Sequence, residues 1–302
     1  MMQKFYSHGK LLLSGEYAIL DGALGLGLPT KFGQQLKVEK SDSGALHWVS
    51  LDHESKVWFE ARYSLSPFKV IETSNPEISN RLIQIFAETR QLNPAFLTAN
   101  QGYQVEAQLT FPRDWGLGSS STLLNNIANW GKVNAYRLLS ATFGGSGYDI
   151  ACAQHKLPIL YQISKSLPIV QEVNFKPSFS NELYFVHLNR KQNSRDAIHH
   201  YSNLNFDKGE LINKISNVTE KLVASSSLNE FEKLLKLHEK LISKAIGLTP
   251  IQERLFPDYK GAVKSLGAWG GDFIMVTGDD ETPSYFKEKG FSTVIPYAEM
   301  IL

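Results

Sequence analysis

The stretch 115-WGLGSSST-122 places two glycines, three serines and a threonine between a strand-like segment and a helix-like segment. The residues before it, 103–111, alternate strictly between apolar and polar side chains, which predicts a half-buried strand that ends at Pro112. From Ser119 onward the apolar residues recur at helical spacing, and no proline interrupts them before Phe143. The sequence therefore predicts a strand, a glycine-rich loop and a helix in succession.

A loop of small residues that leads into a helix can bind an anion. The first N–H groups of a helix have no partner within the helix, and the helix dipole places partial positive charge there. Gly116 and Gly118 would let the backbone approach a ligand closely. The simpler alternative is a glycine turn with one serine as the N-cap, but a single cap needs only one of the four hydroxyls. No lysine follows in the register of a Walker A motif, so positive charge for a triphosphate must come from elsewhere in the chain.

Composition indicates a globular protein. The 302 residues are 42% hydrophobic and 20% charged, with a formal net charge of +1, which gives no argument for nucleic acid as a partner. Cys152 is the only cysteine, which excludes an intrachain disulfide and a cysteine-cluster metal site, and its apolar setting predicts packing. No apolar run has the length of a signal peptide or of a membrane span, so we expect a cytoplasmic protein with no membrane partner.

The remaining segments predict an α+β protein. Helices are expected at 78–92, near 208–224 and near 228–246, and strands at 183–188 and 292–297. Two apolar runs within 262–278 are joined by a glycine-rich turn. Strands and helices alternate irregularly in both halves, which favours α+β over a regular βαβ repeat. A Ser-, Lys- and Pro-rich stretch near 165–180 predicts two domains, 1–170 and 171–302.

Two further glycine-rich stretches accompany the first: 144-GGSGYDIACA-153, which contains Asp149, and 267-GAWGGD-272. A single such turn is weak evidence for a site, but three in one chain are harder to explain as turns alone. The histidines give no competing metal site. His199 and His200 are adjacent, and His238 lies on an amphipathic helical segment without ligand spacing.

Three segments together resemble the signature motifs of the GHMP kinases, the group that includes galactokinase, homoserine kinase, mevalonate kinase and phosphomevalonate kinase. They are 8-HGKLLLSGEYAILDG-22, 112-PRDWGLGSSST-122 and 264-KSLGAWGGDFIMV-276, in the order of the family and over nearly the whole chain. The runs GKLLLSGEYAIL and GSGYDIACA resemble the mevalonate-pathway branch, and GYDIA also resembles a bacterial group named for that string. The resemblance implies an N-terminal domain like domain 2 of ribosomal protein S5 and a ferredoxin-like C-terminal domain. It also implies ATP and Mg²⁺ as cofactors.

The same resemblance implies roles for individual residues. Asp149 would accept or orient the proton of the attacking hydroxyl, and Lys10 would contact that nucleophile and the migrating phosphoryl group; the alternatives are a turn aspartate and a surface lysine. The Ser120 hydroxyl would be the magnesium ligand. Phosphate binding is assigned to Gly116, Leu117, Gly118, Ser119, Ser120 and Ser121. Substrate binding is assigned to Glu16, Ser146, Gly147, Ser194, Arg195, Gly270 and Gly271, with a structural salt bridge as an equal alternative for Glu16.

Two departures from the family pattern bear on the substrate. Residues 115–148 contain no Asp or Glu, although many mevalonate kinases have a magnesium-binding glutamate there, and Trp269 stands where a glycine is usual. The sequence thus predicts an ATP-dependent kinase of a small anionic metabolite, phosphomevalonate or mevalonate, as a monomer or homodimer. The alternatives are a catalytically silent protein of the same fold that binds a nucleotide or metabolite, and a nucleic-acid module, which the near-neutral charge disfavours.

Overall fold

The computed structural model describes residues 2–98, 101–190, 194–204, 206–267, 269 and 271–302, with only the backbone of 194–197. The chain forms two compact units, each built from separate segments. The first unit comprises Met1–Gly9, Phe32–Arg113 and Leu117–Gln154, and the second comprises Lys10–Lys31, Asp114–Gly116 and His155–Leu302. The expected domain division at 1–170 and 171–302 stays a prediction.

The strands of the described residues are β1 Gln3–Ser14, β2 Gly25–Ser41, β3 Ala45–Leu51, β4 Val57–Leu65, β5 Phe68–Thr73, β6 Gly102–Leu109, β7 Ile159–Ser164, β8 Leu167–Glu172, β9 Leu183–His187, β10 Val263–Ser265, β11 Phe273–Thr277 and β12 Val294–Pro296. The helices are α1 Pro76–Leu92, α2 Ser119–Gly131, α3 Ala135–Thr142, α4 Tyr148–Gln154, α5 Ser194–Ser202, α6 Lys208–Ala224, α7 Leu228–Ile246, α8 Ile251–Leu255, α9 Thr282–Glu288 and α10 Tyr297–Met300. Short 3₁₀ turns lie at Ala18–Asp21 and Ser180–Glu182.

The first unit packs helices α1 to α3 against a sheet. Its strand order is β5-β4-β3-β6-β2, with β3 and β6 parallel and the other neighbours antiparallel. The inward residues of the alternating strand β6, such as Val105 and Ala107, join a buried core that includes Phe86, Leu124 and Ile127. The strand predicted at 103–111 is thus confirmed, and its buried face holds the helix that follows the glycine-rich loop.

The helical segment predicted from Ser119 to Phe143 is two helices. Helix α2 ends at Gly131 because Lys132 adopts a left-handed conformation, with φ of 51°. Helix α3 then begins after Asn134, whose side chain accepts the N–H groups of Tyr136 and Arg137. Apolar periodicity runs through this break, so a sequence without proline does not reveal it.

The second unit contains an antiparallel four-stranded sheet in the order β10-β11-β9-β12. In the same unit, residues 25–27 of β2 pair with β7, which pairs with β8. Helices α6 and α7 begin at the side-chain caps Asp207 and Ser227 and match the predicted bounds. The α+β class predicted from the sequence is confirmed.

Candidate active site

The glycine-rich loop leads into α2 without a side-chain cap. Gly118 has a φ of +87° immediately before Ser119, the first residue of the helix. The N-cap residue is therefore Gly118, and α2 has no side-chain cap hydrogen bond. The alternative of an ordinary serine N-cap is therefore wrong, and the helix start keeps donors available for an anion.

The four hydroxyls after the glycines divide into two sets. Ser121 and Thr122 are buried, whereas Ser119 is half-buried and Ser120 is exposed. Thr122 Oγ1 donates to Gln34 Oε1 over 2.8 Å, which ties the helix to β2. Ser121 Oγ donates to Asp149 Oδ2 over 3.2 Å. The hydroxyls of Ser121 and Thr122 thus bond α2 to α4 and β2. Ser119 and Ser120 are accessible to solvent in part or in full.

Asp149 lies in the first turn of α4, in the same unit as α2. The preceding Gly147 has a φ of +85°, and its carbonyl accepts the N–H groups of Ile150 and Ala151, which turns the chain into the helix. One carboxylate oxygen of Asp149 accepts the Ser121 hydroxyl, and the other, Oδ1, is buried without a hydrogen-bond partner among the described residues. The bond that the structure shows for Asp149 is to a side chain of α2, and the turn-aspartate alternative stays untested. A buried acceptor without a partner costs about 1–3 kcal/mol, and such an atom commonly bonds to an ordered water, an ion or a ligand.

Gly116 lies against the carboxylate of Asp272, and both residues belong to the second unit. A Cβ atom added at Gly116 would lie 2.3 Å from Asp272 Cγ, and the φ of Gly116 is +66°. Asp272 also donates its N–H to the carbonyl of Arg190 over 2.8 Å. Asp272 of the third motif therefore contacts both Gly116 and Arg190.

Replacing Gly116 by alanine is expected to destabilise the protein more than the same change at Gly144. Both glycines have nearly the same φ, +66° and +67°, but nothing lies within 4 Å of a Cβ at Gly144. The shared backbone strain costs roughly 1–2 kcal/mol, and displacement of Asp272 adds roughly 1–3 kcal/mol for Gly116→Ala alone. Urea unfolding of the two variants measures the difference. Equal losses would show that the contact with Asp272 carries no energy.

Lys10 is half-buried on β1, in the second unit. Glu16, which follows β1 in the same unit, is fully buried. Its Oε1 accepts a hydrogen bond from Lys264 Nζ over 2.5 Å, and its Oε2 lies 3.1 Å from His238 Nε2. This burial favours the structural alternative for Glu16 over a substrate contact. Residues Lys264 and His238 come from β10 and α7.

Burial perturbs the titration of this cluster. It raises the pKa of Glu16 from 4.5 to about 7, against the attraction of Lys264. It also raises the pKa of Glu239, again opposed by Lys264. Burial and the charge of Lys264 hold the pKa of His238 well below its ordinary value of 6.5, so this imidazole is neutral.

Glu16 and His238 are expected to make opposite contributions to the pH dependence of stability. Between pH 4.5 and about 7 the folded chain keeps a proton on Glu16 that the unfolded chain releases, so this residue lowers stability as pH rises. Below pH 6.5 the unfolded chain binds a proton on His238 that the folded chain does not, so this residue lowers stability as pH falls. Relative to wild type, the free energy of unfolding of Glu16→Gln should rise with pH, and that of His238→Gln should rise as pH falls. Urea unfolding across this range is the measurement, and parallel curves for the two variants would contradict the assignment.

The other predicted substrate residues are scattered over both units. Ser146 and Gly147 precede α4 in the first unit. Gly271 is buried in the second unit, and Gly270 lies outside the described residues. Ser194 and Arg195 begin α5, but their side chains lie outside the description. Leu117 of the loop is fully buried, so only its backbone can meet a ligand.

Trp269 points into a hydrophobic cluster of the second unit. The residue is 4% exposed and packs with Tyr17, Tyr201 and residues of α6 and α7 such as Ile215. The ring of Trp269 is therefore part of the buried core of this unit.

Sequence reasoning missed His238, Glu239, Lys264 and Asp272 as members of the candidate site. A signal was present for the first two, because they occupy the apolar face of the helix predicted at 228–246, among Leu234, Leu235 and Ile242. Polar residues on such a face require buried partners. Across the described residues, no three His, Cys, Asp or Glu side chains gather closely enough to hold a metal ion.

Comparison with known proteins gives matches in structure only. No family model and no curated protein matches the sequence. Phosphomevalonate kinase from Streptococcus pneumoniae, solved with phosphomevalonate and AMPPNP, matches with a TM-score of 0.68 and 18% identity, over 99% of this chain and 98% of its own. Mevalonate kinase from Methanococcus jannaschii matches with a TM-score of 0.70 and 16% identity, over 97% and 96% of the two chains. Galactokinase from Lactococcus lactis, complexed with galactose, matches with a TM-score of 0.65 and 13% identity, over 95% and 88%.

These structures confirm the fold that the three sequence motifs predict. The chain has the GHMP kinase fold over nearly its whole length. Identities of 13–18% show the fold alone, because one fold can serve several activities. Within the described residues, no helix combines the length and apolar character needed to cross a membrane.

Proposed function

We propose that this protein is an ATP-dependent kinase that transfers the γ-phosphoryl group to a small anionic metabolite, with phosphomevalonate as the first acceptor to test and mevalonate as the second. The arrangement of Asp149 carries this proposal. One of its carboxylate oxygens accepts the Ser121 hydroxyl at the start of α2, and the other is buried without a hydrogen-bond partner in the described part of the chain. A carboxylate held beside an uncapped helix start suits a reaction that brings a phosphate and a nucleophile together.

The triphosphate would bind at the start of α2. The backbone N–H groups of this first turn, with the glycines before it, would donate to phosphate oxygens, and the helix dipole would favour their charge. The accessible hydroxyls of Ser119 and Ser120 would add hydrogen bonds. Lys10 would supply the cation that the loop lacks.

The oxygen donors of this region fit magnesium. Ser120 is exposed, and none of the described residues hydrogen-bonds to Asp149 Oδ1. Magnesium in kinases keeps several waters and takes one or two protein oxygens together with substrate phosphates, so a larger set of acids is not required. When bound, it would neutralise charge on the phosphates.

In the reaction, the bond between the γ-phosphorus and the bridging oxygen of ADP breaks as an acceptor oxygen bonds to the phosphorus. Asp149 would orient or accept the proton of a hydroxyl acceptor, and Lys10 would stabilise the migrating phosphoryl group. A phosphate acceptor is already mostly ionised near neutral pH, so it would depend less on a base and more on Lys10.

The anionic acceptor requires local cations. The segment 189-NRKQNSRD-196, which contains three basic residues, follows β9 in the sequence, and the carbonyl of Arg190 accepts the N–H of Asp272 within the third motif. Arg195 and Ser194 are proposed to bind the carboxylate or phosphate of the acceptor, with Ser146, Gly147, Gly270 and Gly271 along its path. Trp269, one of the two departures from the family pattern, packs into a hydrophobic cluster of the second unit. Its presence is therefore weak support for the alternative of a catalytically silent protein.

An ADP-release assay with phosphomevalonate, mevalonate, homoserine and galactose tests this function. We expect turnover with at least one mevalonate-pathway acceptor and little with galactose. Calorimetric binding of ATP without turnover on any acceptor of the panel would instead support the silent nucleotide-binding protein.

A further inference from the structure

Four ionisable side chains meet in the interior of the second unit: Glu16, His238, Glu239 and Lys264. The exposure of each is at most 3%. They come from three separate parts of the chain, namely the turn after β1, helix α7 and strand β10. Lys264 donates to both Glu16 and Glu239, and these bonds constrain the elements that carry them, whereas Glu16 Oε2 and His238 Nδ1 have no hydrogen-bond partner among the described residues.

Glu239 holds the end of β10 with both carboxylate oxygens. Its Oε1 accepts the backbone N–H of Ser265 over 3.1 Å, and its Oε2 accepts the Ser265 hydroxyl over 3.0 Å. Lys264 Nζ lies 3.4 Å from the same Oε1. Ser265 is the last residue of β10, so Glu239 fixes the end of this strand, six positions before Gly271 in the sequence.

His238, the preceding residue of α7, holds the turn after β1. Its Nε2 accepts the backbone N–H of Gly15 over 3.2 Å. Gly15 has a φ of +105°, and a Cβ there would lie 2.8 Å from Gly25 Cα, so this turn already has little freedom. The strand that ends at this turn is the one that carries Lys10.

Glu16 and Lys264 join the two halves of the cluster. Lys264 Nζ donates to Glu16 Oε1 over 2.5 Å and to the carbonyl of Ser265 over 2.8 Å. Glu16 Oε2 faces His238 Nε2 over 3.1 Å. Two adjacent residues of α7 are therefore bonded to two different motif segments, and those segments are bonded to each other.

We propose that His238 and Glu239 are positioning residues that hold the Gly15–Glu16 turn and the Ser265 end of β10 in one fixed arrangement, so that Lys10 and the Gly271–Asp272 segment keep their placement in the second unit. The expected effect on catalysis rests on the proposed kinase function. Helix α7 lies outside the three motifs, and through these two residues it would hold the first and third motifs in fixed positions relative to each other. Small displacements of a catalytic group suffice to slow a phosphoryl transfer, because that reaction depends mainly on positioning.

The test compares Glu239→Ala, Glu239→Gln and the control Glu232→Ala. Glutamine retains the shape and one acceptor for Ser265, whereas alanine removes both bonds. Glu232, also on α7, accepts the hydroxyl of Thr277 in β11, so its loss removes a comparable bond outside the motif segments. We expect Glu239→Ala to lower kcat roughly 10- to 100-fold with little change in the KM for ATP, Glu239→Gln to recover most of it, and Glu232→Ala to stay near wild type.

Hydrogen exchange provides a second readout that does not depend on turnover. In Glu239→Ala, amide exchange should accelerate both in 262–267 and in 11–16, whereas Glu232→Ala should affect 273–277. A wild-type protein without turnover on the acceptor panel would defeat the proposed function, and the exchange pattern would still decide the positioning role. Glu239→Ala with wild-type kcat, or with exchange unchanged in 11–16, would overturn the inference.

Discussion

Asp149→Asn is expected to lower kcat by about 10²- to 10⁴-fold with a hydroxyl acceptor, the range that a positioned general base supplies. Asparagine can still accept the Ser121 hydroxyl, so the local fold and the KM for ATP should change little. The variant loses the charge of the carboxylate and its ability to take a proton. Steady-state kinetics at saturating ATP measures the loss, and the melting temperature checks that the fold is intact.

The same variant distinguishes the two classes of acceptor. With a phosphate acceptor the nucleophile is largely ionised near neutral pH, so the loss should fall at the lower end of that range. Asp114→Asn is the matched control, because Asp114 is an exposed acid that adjoins the same loop. If Asp149→Asn retained kcat close to that of Asp114→Asn, Asp149 would have no part in the chemistry.

Lys264→Met is expected to reduce the free energy of unfolding by about 3–5 kcal/mol, the usual cost of removing one partner from a buried ion pair. The change leaves Glu16 and Glu239 buried without a cation, and both carboxyl groups already resist ionisation. Urea unfolding measures the loss, which should grow as pH rises because ionised carboxylates then lack compensation.

Lys37→Met serves as the control for this destabilisation. Lys37 is bonded to Glu106 over 2.7 Å, but both side chains are about one-third exposed. An ion pair of this kind contributes roughly 0–1 kcal/mol. Similar losses in the two variants would mean that the buried cluster contributes no more than a surface pair.

The long amphipathic helices of the second unit could be predicted from the sequence almost residue by residue. Helices α6 and α7 combine a continuous apolar stripe with a capping residue at each start, so local signals and packing agree. The break after Gly131 escaped prediction, because a left-handed lysine ends α2 without a proline or a change in apolar spacing.

The contacts within the candidate site could not be predicted from the sequence, because the residues that make them lie far apart along the chain. The glycines and hydroxyls of the loop suggested an anion site, but the bond between Ser121 and Asp149 joins residues 28 positions apart. Lys264 and Glu16 are separated by 248 positions, so no local pattern could reveal their ion pair. The packing of Trp269 could not be predicted either, because its neighbours Tyr17 and Tyr201 lie far from it in the sequence.

The most direct measurement of the central claim is transfer of the γ-phosphoryl group itself. The protein is incubated with magnesium and ATP labelled with ¹⁸O at the γ-phosphate, together with phosphomevalonate or mevalonate, and the products are analysed by mass spectrometry. We expect a labelled phosphoryl group on one of these acceptors, formed by the wild type and nearly lost in Asp149→Asn. Label that stays on ATP, or appears only in free phosphate for every acceptor, would contradict the assignment of this protein as a small-molecule kinase.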